Sequence, residues 1–419
     1  GRSEGGRQGV ATEFDVVVVG GGPSGSATAH YLASMGHSVL VCEKKTFPRE
    51  KTCGDGLTPR AVKVLEEMGL GRELDTWERV RGLRVHGANR TLELPFPELD
   101  DWCNYGLVKP RKDLDQLVLN NAEAAGAKVV YGMQAVEPLF EDGTMVGLVA
   151  KRDGEDEQVR ARFTVCAEGA ATKFARSLGR TRRPEYPMGL AIRQYFKSPL
   201  QHSGWFDAYL EIREGNEVLP GYGWVFPVGD GTVNAGVGLL STFGGYKDVN
   251  LNHLQRRFID SLPPEWEVNW DTVCSKPRAG RLFMGGSVWP PHGPGFVLVG
   301  DAAGMINPCN GEGIAYGYET GRIAGRHIDE ALKHGSNVSL SSYSTELETT
   351  YGPYYKLGRK FVKRIGNPAL MEKLVSFGMR SKRVMSLALT ILANLEDPDA
   401  KNIEQKGLRM MKKLAELRS

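Results

Sequence analysis

Six residues, Gly20-Gly21-Gly22-Pro23-Ser24-Gly25, constrain this chain more than any other segment. They follow Phe14-Asp15-Val16-Val17-Val18-Val19, a run with no polar residue after Asp15, which reads as a strand buried on both faces. They lead into residues 26–35, which read as a helix. A G-x-G-x-x-G turn between a buried strand and a helix is built to hold a dinucleotide. Gly20 makes the tight turn, Gly22 lets a pyrophosphate approach the backbone, and Gly25 lets helix and strand pack closely. The phosphates then lie on the helix N-terminus, with Ser24 counted among their contacts. A second strand, residues 38–42, ends at Glu43, 23 residues after Gly20, where a carboxylate would bind ribose hydroxyls.

The 419 residues are enough for a large core and more than one structural unit, and 41% hydrophobic with 25% charged residues is ordinary for a globular chain. Six cysteines carry no metal-ligand spacing and no C-x-x-C, so a reducing, cytoplasmic setting is expected, with no disulfide framework and no metal site. No secretory signal is visible, and no uncharged apolar run approaches the ~20 residues a membrane span needs. Residues 1–13 are polar and Gly-rich at their start and are expected to form a disordered or processed tail. The net charge of +3 calls for no nucleic-acid partner, but it hides an asymmetry. Residues 351–419 hold 15 Lys and Arg against 6 Asp and Glu, a surplus of nine cations, so the rest of the chain is net −6. A basic C-terminal segment on an acidic body points to an anionic surface as partner.

Three later segments decide which dinucleotide. Arg111 precedes an amphipathic helix. Glu168-Gly169 follows the strand Phe163-Thr164-Val165. Val297-Leu298-Val299 runs into Gly300-Asp301, then through Pro308, Gly311 and Gly313 into a helix that starts at Ile314. Here the chain resembles the large family of FAD oxidoreductases built like the aromatic hydroxylases. The resemblance implies a non-covalent FAD with Arg111, Glu168 and Gly169 at the nucleotide. It also places Gly300-Asp301 on the ribityl and phosphate, and Gly311, Gly313 and Ile314 facing the flavin pyrimidine. A helix N-terminus there stabilises the anionic edge of reduced flavin. The family usually has Asp where this chain has Glu168, and Ser where it has Thr172.

Two further segments narrow the resemblance. Cys53-Gly54-Asp55-Gly56 is one; Tyr222-x-Trp224-x-Phe226-Pro227, eight residues, then Gly236-x-Gly238 is the other. Together they resemble the geranylgeranyl reductase family, including the bacterial menaquinone reductases that saturate an isoprene of the quinone tail. The similarity implies a prenyl lipid or prenylated quinone as substrate and places Cys53 beside the flavin ring. The residues make sense independently. Tyr222, Trp224 and Phe226 recur at i, i+2, i+4, so one strand face carries all three rings. Gly236 and Gly238 leave a partner strand bare on one face. With Phe226 these glycines are the expected substrate contacts, an apolar slot for a long ligand. Hydride transfer to an isolated alkene needs a proton on the other carbon, with cationic character between. Aromatic faces stabilise such a cation by about 0.5–2 kcal/mol each when desolvated. Tyr222, Trp224 and Cys53 are therefore the candidate catalytic residues. No second G-x-G-x-x-G is present, so NAD(P)H would dock transiently or another reductant would serve. The competing readings are a monooxygenase or halogenase of the same fold acting on an aromatic compound, or a flavoprotein that only passes electrons. Halogenases carry a related W-x-W-x-I-P strand, from which Tyr222 and Phe226 depart.

The expected class is α/β. A Rossmann-type FAD-binding domain takes residues 14–80, 102–179 and 282–333. An inserted antiparallel β-sheet substrate unit takes residues 81–101 and 180–281, and residues 334–419 form a C-terminal helical tail. Within that tail, residues 384–395 read as a helix too short to span a bilayer, apolar except for one stripe of Ser386, Thr390 and Asn394. It is expected either to bury against the FAD-binding domain or to dip into a lipid interface; its basic flanks favour an anionic interface, making the protein peripheral at the cytoplasmic membrane.

Overall fold

Strand β1 (Thr12–Val19) lies at the centre of a parallel sheet, and the burial of Val16, Val17, Val18 and Val19 follows from that place. The computed structural model describes residues 12–100, 102–171, 173–335, 340–396 and 403–417. Helix α1 (Pro23–Ser34) follows the glycine turn, and β2 (Val39–Glu43) returns parallel to β1 with Val16 opposite Val39. After α2 (Pro59–Glu67) the chain leaves for a second sheet with the hairpin β3 (Gly82–Gly87) and β4 (Arg90–Pro95). It returns through α3 (Arg111–Ala124) to β5 (Lys128–Tyr131), beside β2. A meander of β6 (Gln134–Glu141), β7 (Thr144–Arg152) and β8 (Glu155–Cys166) follows, and the later part of β8 pairs parallel with β1.

The short α4 (Lys173–Ser177) precedes a second excursion. It supplies β9 (Met188–Lys197), β10 (Phe206–Tyr209), β11 (Gly221–Pro227), β12 (Thr232–Leu240), α5 (Leu251–Asp260) and β13 (Arg278–Phe283). Strand β14 (Phe296–Leu298) then closes the first sheet beside β8. Helices α6 (Ile314–His334), α7 (Ser341–Ile365), α8 (Pro368–Gly378), α9 (Lys382–Leu392) and α10 (Ile403–Leu417) follow. The chain is thus α/β, with a Rossmann-type sheet in the order β14-β8-β1-β2-β5 and C-terminal helices. The second sheet runs β13-β9-β12-β11-β10-β3-β4. It is antiparallel except where β10 meets β3, two strands from separate excursions that lie parallel.

Several expected edges shift. Strand β1 begins at Thr12, inside the segment expected as tail, while residues 1–11 lie outside the described residues. Helix α1 begins at Pro23, because a proline's fixed φ and missing N–H suit the first helical turn. Strand β13 continues to Phe283, two residues past the expected edge of the substrate unit, and α6 ends at His334, one past the expected end of the FAD domain. Helices α1 and α6 pack closely through glycines the sequence reading passed over. A Cβ at Gly321 would lie 2.7 Å from the Ser24 carbonyl oxygen, and one at Gly325 3.1 Å from the Tyr31 Cβ.

The C-terminal apolar helix takes the buried one of its two expected placements at its C-terminal end. Helix α9 stops at Leu392, and Asn394 takes a left-handed φ of 51°. Thr390 and Asn394 of the polar stripe are buried, and Asn394 Nδ2 lies 3.2 Å from the Tyr316 hydroxyl. The carbonyls of Ile391 and Leu392 accept from the Tyr354 hydroxyl at 2.9 and 3.0 Å. Beneath them the buried Arg60 donates to Glu319 at 2.7 and 3.0 Å and to the Asn394 carbonyl at 2.5 Å. The end of this helix is therefore anchored on the FAD domain, with Thr390 and Asn394 turned inward.

Candidate functional site

The glycine turn is closed by backbone packing. Gly20 has φ of 102°, and a Cβ there would lie 2.5 Å from the Ala167 carbonyl oxygen; one at Gly25 would lie 1.9 Å from the Gly20 oxygen. Gly22 differs, since a Cβ there would meet only Arg49 Nη2, at 3.5 Å. Its open side is the side a phosphate would approach. Helix α1 has Gly22 as N-cap and α6 has Gly313, and neither end is capped by a side chain. Two bare helix N-termini, one beside the glycine turn and one beside Gly300-Asp301, fit a diphosphate and a flavin carbonyl edge. The residues present therefore fit FAD.

The other nucleotide candidates fall around these ends. Glu43, buried at the end of β2, accepts from the backbone N–H groups of Gly21 and Lys45, both at 2.8 Å, so the acid also orders the turn it faces. Ser24 packs on Gly300, where a Cβ would lie 2.7 Å from Ser24 Oγ, and the Gly300 N–H donates to Thr320 Oγ1 at 2.9 Å. Burial pushes the Asp301 carboxyl up, opposed by the cations Lys51 and Arg111. Arg111 is a buried fork on Asp115, at 2.7 and 2.9 Å, and Arg49 holds the same carboxylate at 2.9 Å. Glu168 accepts from the N–H groups of Phe174 and Ala175 at 3.1 and 3.0 Å, so it covers the start of α4. Gly169 and Gly311 take φ of 69° and 80°; Thr172 lies outside the described residues. Ile314 opens α6.

On the second sheet, the Tyr222 and Trp224 rings are 6.1 Å apart and the Trp224 and Phe226 rings 6.3 Å. Register sets Trp224 opposite Gly236 and Tyr222 opposite Gly238. The two glycines are not equivalent. A Cβ at Gly236 would lie 2.4 Å from Trp224 Cζ2 and 2.4 Å from the Ile192 oxygen, whereas one at Gly238 meets nothing nearer than 3.8 Å. Gly236 makes room for the indole itself, and Gly238 leaves space beside it. The Cys53–Gly56 loop lies against this face: a Cβ at Gly54 would be 3.0 Å from the Phe226 ring and 3.2 Å from Trp224 Nε1.

A polar network that the sequence reading missed ties loop to sheet. Asn234, opposite Phe226, accepts from the Trp224 indole N–H at 2.9 Å and donates to the Cys53 carbonyl and to Asp55 Oδ2, both at 2.8 Å. Asp55 sits at a left-handed φ of 64°, takes the Arg111 backbone N–H at 3.1 Å and accepts from the Tyr195 hydroxyl. Burial pushes its carboxyl up to about 6 against these donors and the Arg193 cation. The Cys53 thiol accepts from the Asp55 N–H at 3.3 Å, and burial raises its pKa despite nearby Arg111. The Tyr222 hydroxyl donates to the Asn310 carbonyl at 2.8 Å, and burial lifts it to about 12, with Cys53 and Glu312 adding to the shift.

Glu312 was also overlooked, although Gly311 and Gly313 on either side were singled out. Thr58, at the start of α2, donates to its Oε1, while Oε2 is buried and has no hydrogen-bond partner among the described residues. Its own N–H is held by Asn310 Oδ1 at 2.9 Å. Burial pushes this carboxyl up to about 7; the Thr58 bond, Arg60 on α2 and Asn310 oppose the shift, and Glu319 on α6 adds to it. A proline-rich turn with an acid between two glycines was the available signal.

Comparison with known proteins agrees with this geometry. A family model described as FAD binding domain matches residues 13–239. The menaquinone reductase of Mycolicibacterium smegmatis is 39% identical, over 93% of this chain and 94% of its own length. The chain belongs to the FAD-dependent oxidoreductases of the geranylgeranyl reductase family. Digeranylgeranylglycerophospholipid reductase 1 of Methanopyrus kandleri is 30% identical, over 86% of this chain and 92% of its own. Among solved structures, a geranylgeranyl bacteriochlorophyll reductase-like protein from Thermoplasma acidophilum superposes with a TM-score of 0.80. It is 24% identical and covers 96% of this chain and 100% of that one. A flavin-dependent brominase reaches 0.75 at 19% identity, covering 97% and 99%, and shares the fold.

Proposed function

We propose that this chain is an FAD-dependent reductase that saturates isolated C=C bonds in the prenyl chain of a quinone or polyprenyl lipid. The observation that carries the reading is the aromatic row of Tyr222, Trp224 and Phe226, closed by the Cys53–Gly56 loop on one side and left bare at Gly238 on the other. This is a narrow apolar slot suited to an isoprenoid. Reduced FAD, when bound, supplies the hydride, and NAD(P)H or another donor restores it. The protein's part is to hold the alkene against the rings, exclude water and deliver a proton. Of the acids around the slot, the Tyr222 phenol is too weak near neutral pH, and the Cys53 thiol is raised by burial. Glu312 fits best, with one oxygen fixed by Thr58 and the other uncommitted. Asp55, fully engaged by Tyr195, Asn234 and Arg111, positions the loop instead.

The halogenase and monooxygenase readings rest on shared fold alone, whereas the reductase relatives match over nearly the whole chain. Among the described residues, no helix is long and apolar enough to cross a membrane. A long-chain lipid substrate and the basic C-terminal segment support peripheral binding at the cytoplasmic face of an anionic membrane. The test of the reaction is anaerobic. Protein with reduced flavin, mixed with a prenylated quinone, should reoxidise without oxygen, and the product should gain about two mass units per double bond. Reoxidation that needs oxygen and adds an oxygen atom would overturn the reading.

A further inference from the structure

We propose that helix α8, with the turn that joins it to α9, is the surface that seats on an anionic membrane and admits the prenyl tail. The inference rests on the prenyl-reductase reading and says where that substrate enters. Helix α8 has two apolar faces, which a helix serving only as packing does not need. Leu370, Leu374 and Phe377, at i, i+4 and i+7, form an outer row and are 36%, 42% and 64% exposed. Phe377 is the second most exposed of the large hydrophobic side chains among the described residues, and Val384, at the start of α9, extends the patch at 36%. The inner row of Met371, Val375 and Met379 is buried in the same apolar cluster as Phe206 and Phe226. One helix therefore faces solvent on one side and, on the other, the apolar cluster against which Phe226 of the aromatic row packs.

Charge identifies what covers the outer row. Residues 360–383 contain seven Lys and Arg and a single acid, Glu372, which lies 3.6 Å from Arg213. Lys373, Arg380, Lys382 and Arg383 are exposed around the patch, and among the described residues none of them makes an ion pair. An exposed apolar row among cations that outnumber the nearby acids Glu211 and Glu372 matches an anionic bilayer, where the rings and leucines enter the acyl boundary and the cations meet the headgroups. An eleven-residue helix is too short to hold a membrane by its apolar face alone, so both signals are needed. The inner row suits passage of a tail. Methionines are flexible and repack around an apolar chain, and a third methionine, Met385 on α9, borders the same cluster.

The experiment uses full-length protein with FAD bound and vesicles of phosphatidylcholine with or without phosphatidylglycerol. Wild type should float with the anionic vesicles at low salt, and release on raising the salt or on removing phosphatidylglycerol. The double substitution Leu374→Glu with Phe377→Glu should weaken binding about ten-fold or more, and so should Arg380→Glu with Arg383→Glu. All should keep FAD content and turnover of a short-chain, water-soluble prenyl analogue, because the altered side chains are exposed. Loss of turnover on vesicle-borne substrate with turnover on the soluble analogue intact would support the port. Wild-type-like vesicle binding by both variants would overturn it. So would a change confined to sedimentation velocity, from dimer to monomer, which would assign the face to a second copy of the chain. Failure of wild type on the soluble analogue would count against the reductase reading instead, whatever the vesicles show.

Discussion

Gly236→Ala and Gly238→Ala are the same chemical change two residues apart on β12, yet they should behave differently. At Gly236 the new methyl would sit 2.4 Å from Trp224 Cζ2 and 2.4 Å from the Ile192 oxygen, about 1 Å inside ordinary contact on both sides. The Ile192 oxygen belongs to the neighbouring strand β9 and cannot retreat without breaking the sheet. The indole must move, and its bond to Asn234 Oδ1 goes with it. Overpacking costs about 1–3 kcal/mol and the lost bond about 0.5–1.5 kcal/mol, offset by about 0.4–1 kcal/mol because alanine restricts the unfolded chain. The net is a loss of roughly 0.5–4 kcal/mol. At Gly238 the nearest atom is 3.8 Å away, so the same entropic gain should leave stability unchanged or slightly improved. Urea unfolding followed by tryptophan fluorescence measures both, and flavin content should stay stoichiometric because neither residue is near the glycine turn. Turnover should fall in Gly236→Ala, where Trp224 is displaced. Adding Trp224→Phe to Gly236→Ala should recover part of the lost stability, since the smaller ring vacates the clash. Equal damage from the two single substitutions, or none from either, would refute the assignment of Gly236 as the seat of the indole.

Glu312→Gln should lower prenyl reduction by about 100-fold with FAD retained, and the wild-type rate should fall as pH rises through about 7 while the variant stays flat. The stability sign is fixed by the raised value. Above an ordinary 4.5, stability held by the protonated carboxyl is lost as pH climbs through about 7, so Glu312→Gln should gain on wild type at pH 8 and not at pH 4 in thermal melts. An unchanged pH profile in the variant would remove Glu312 as the acid. Cys53→Ala should keep more than about a tenth of wild-type turnover, because the thiol accepts the Asp55 N–H and its raised pKa makes it a weak acid, which suits ordering the loop; a deeper loss, beyond ~1.4 kcal/mol of barrier, would return Cys53 to the chemistry.

Much of the nucleotide end was legible because its requirements are local. A turn that must bring Gly25 within 1.9 Å of a Gly20 oxygen tolerates no side chain, and that demand is written into consecutive residues. The slot was half legible. Alternation placed three rings on one face, but their facing partners depended on a loop length, and only the observed register sets Gly236 under Trp224. Asp55, Asn234 and Tyr195 come from three separate segments, and no spacing rule predicts that they meet. Glu312 was hidden differently: its neighbours fit a glycine pattern, and the pattern drew attention from the side chain between them.

The C-terminal helices show why an apolar count cannot orient a helix. Residues 384–395 carry one polar stripe, and a stripe reads equally well as a solvent face or as a set of buried partners. Buried tyrosines decide between them: Tyr316 meets Asn394, and Tyr354 caps the carbonyls of Ile391 and Leu392, so the polar side turns inward and α9 is fixed to the FAD domain. On α8 beside it, Leu370, Leu374 and Phe377 stay uncovered although each is as apolar as the buried Leu389. The sequence signal for a lipid-facing helix was an apolar segment among cations. It pointed to the longer apolar run, while the fold exposes the shorter one, whose second face lies in the apolar cluster that Phe226 packs against.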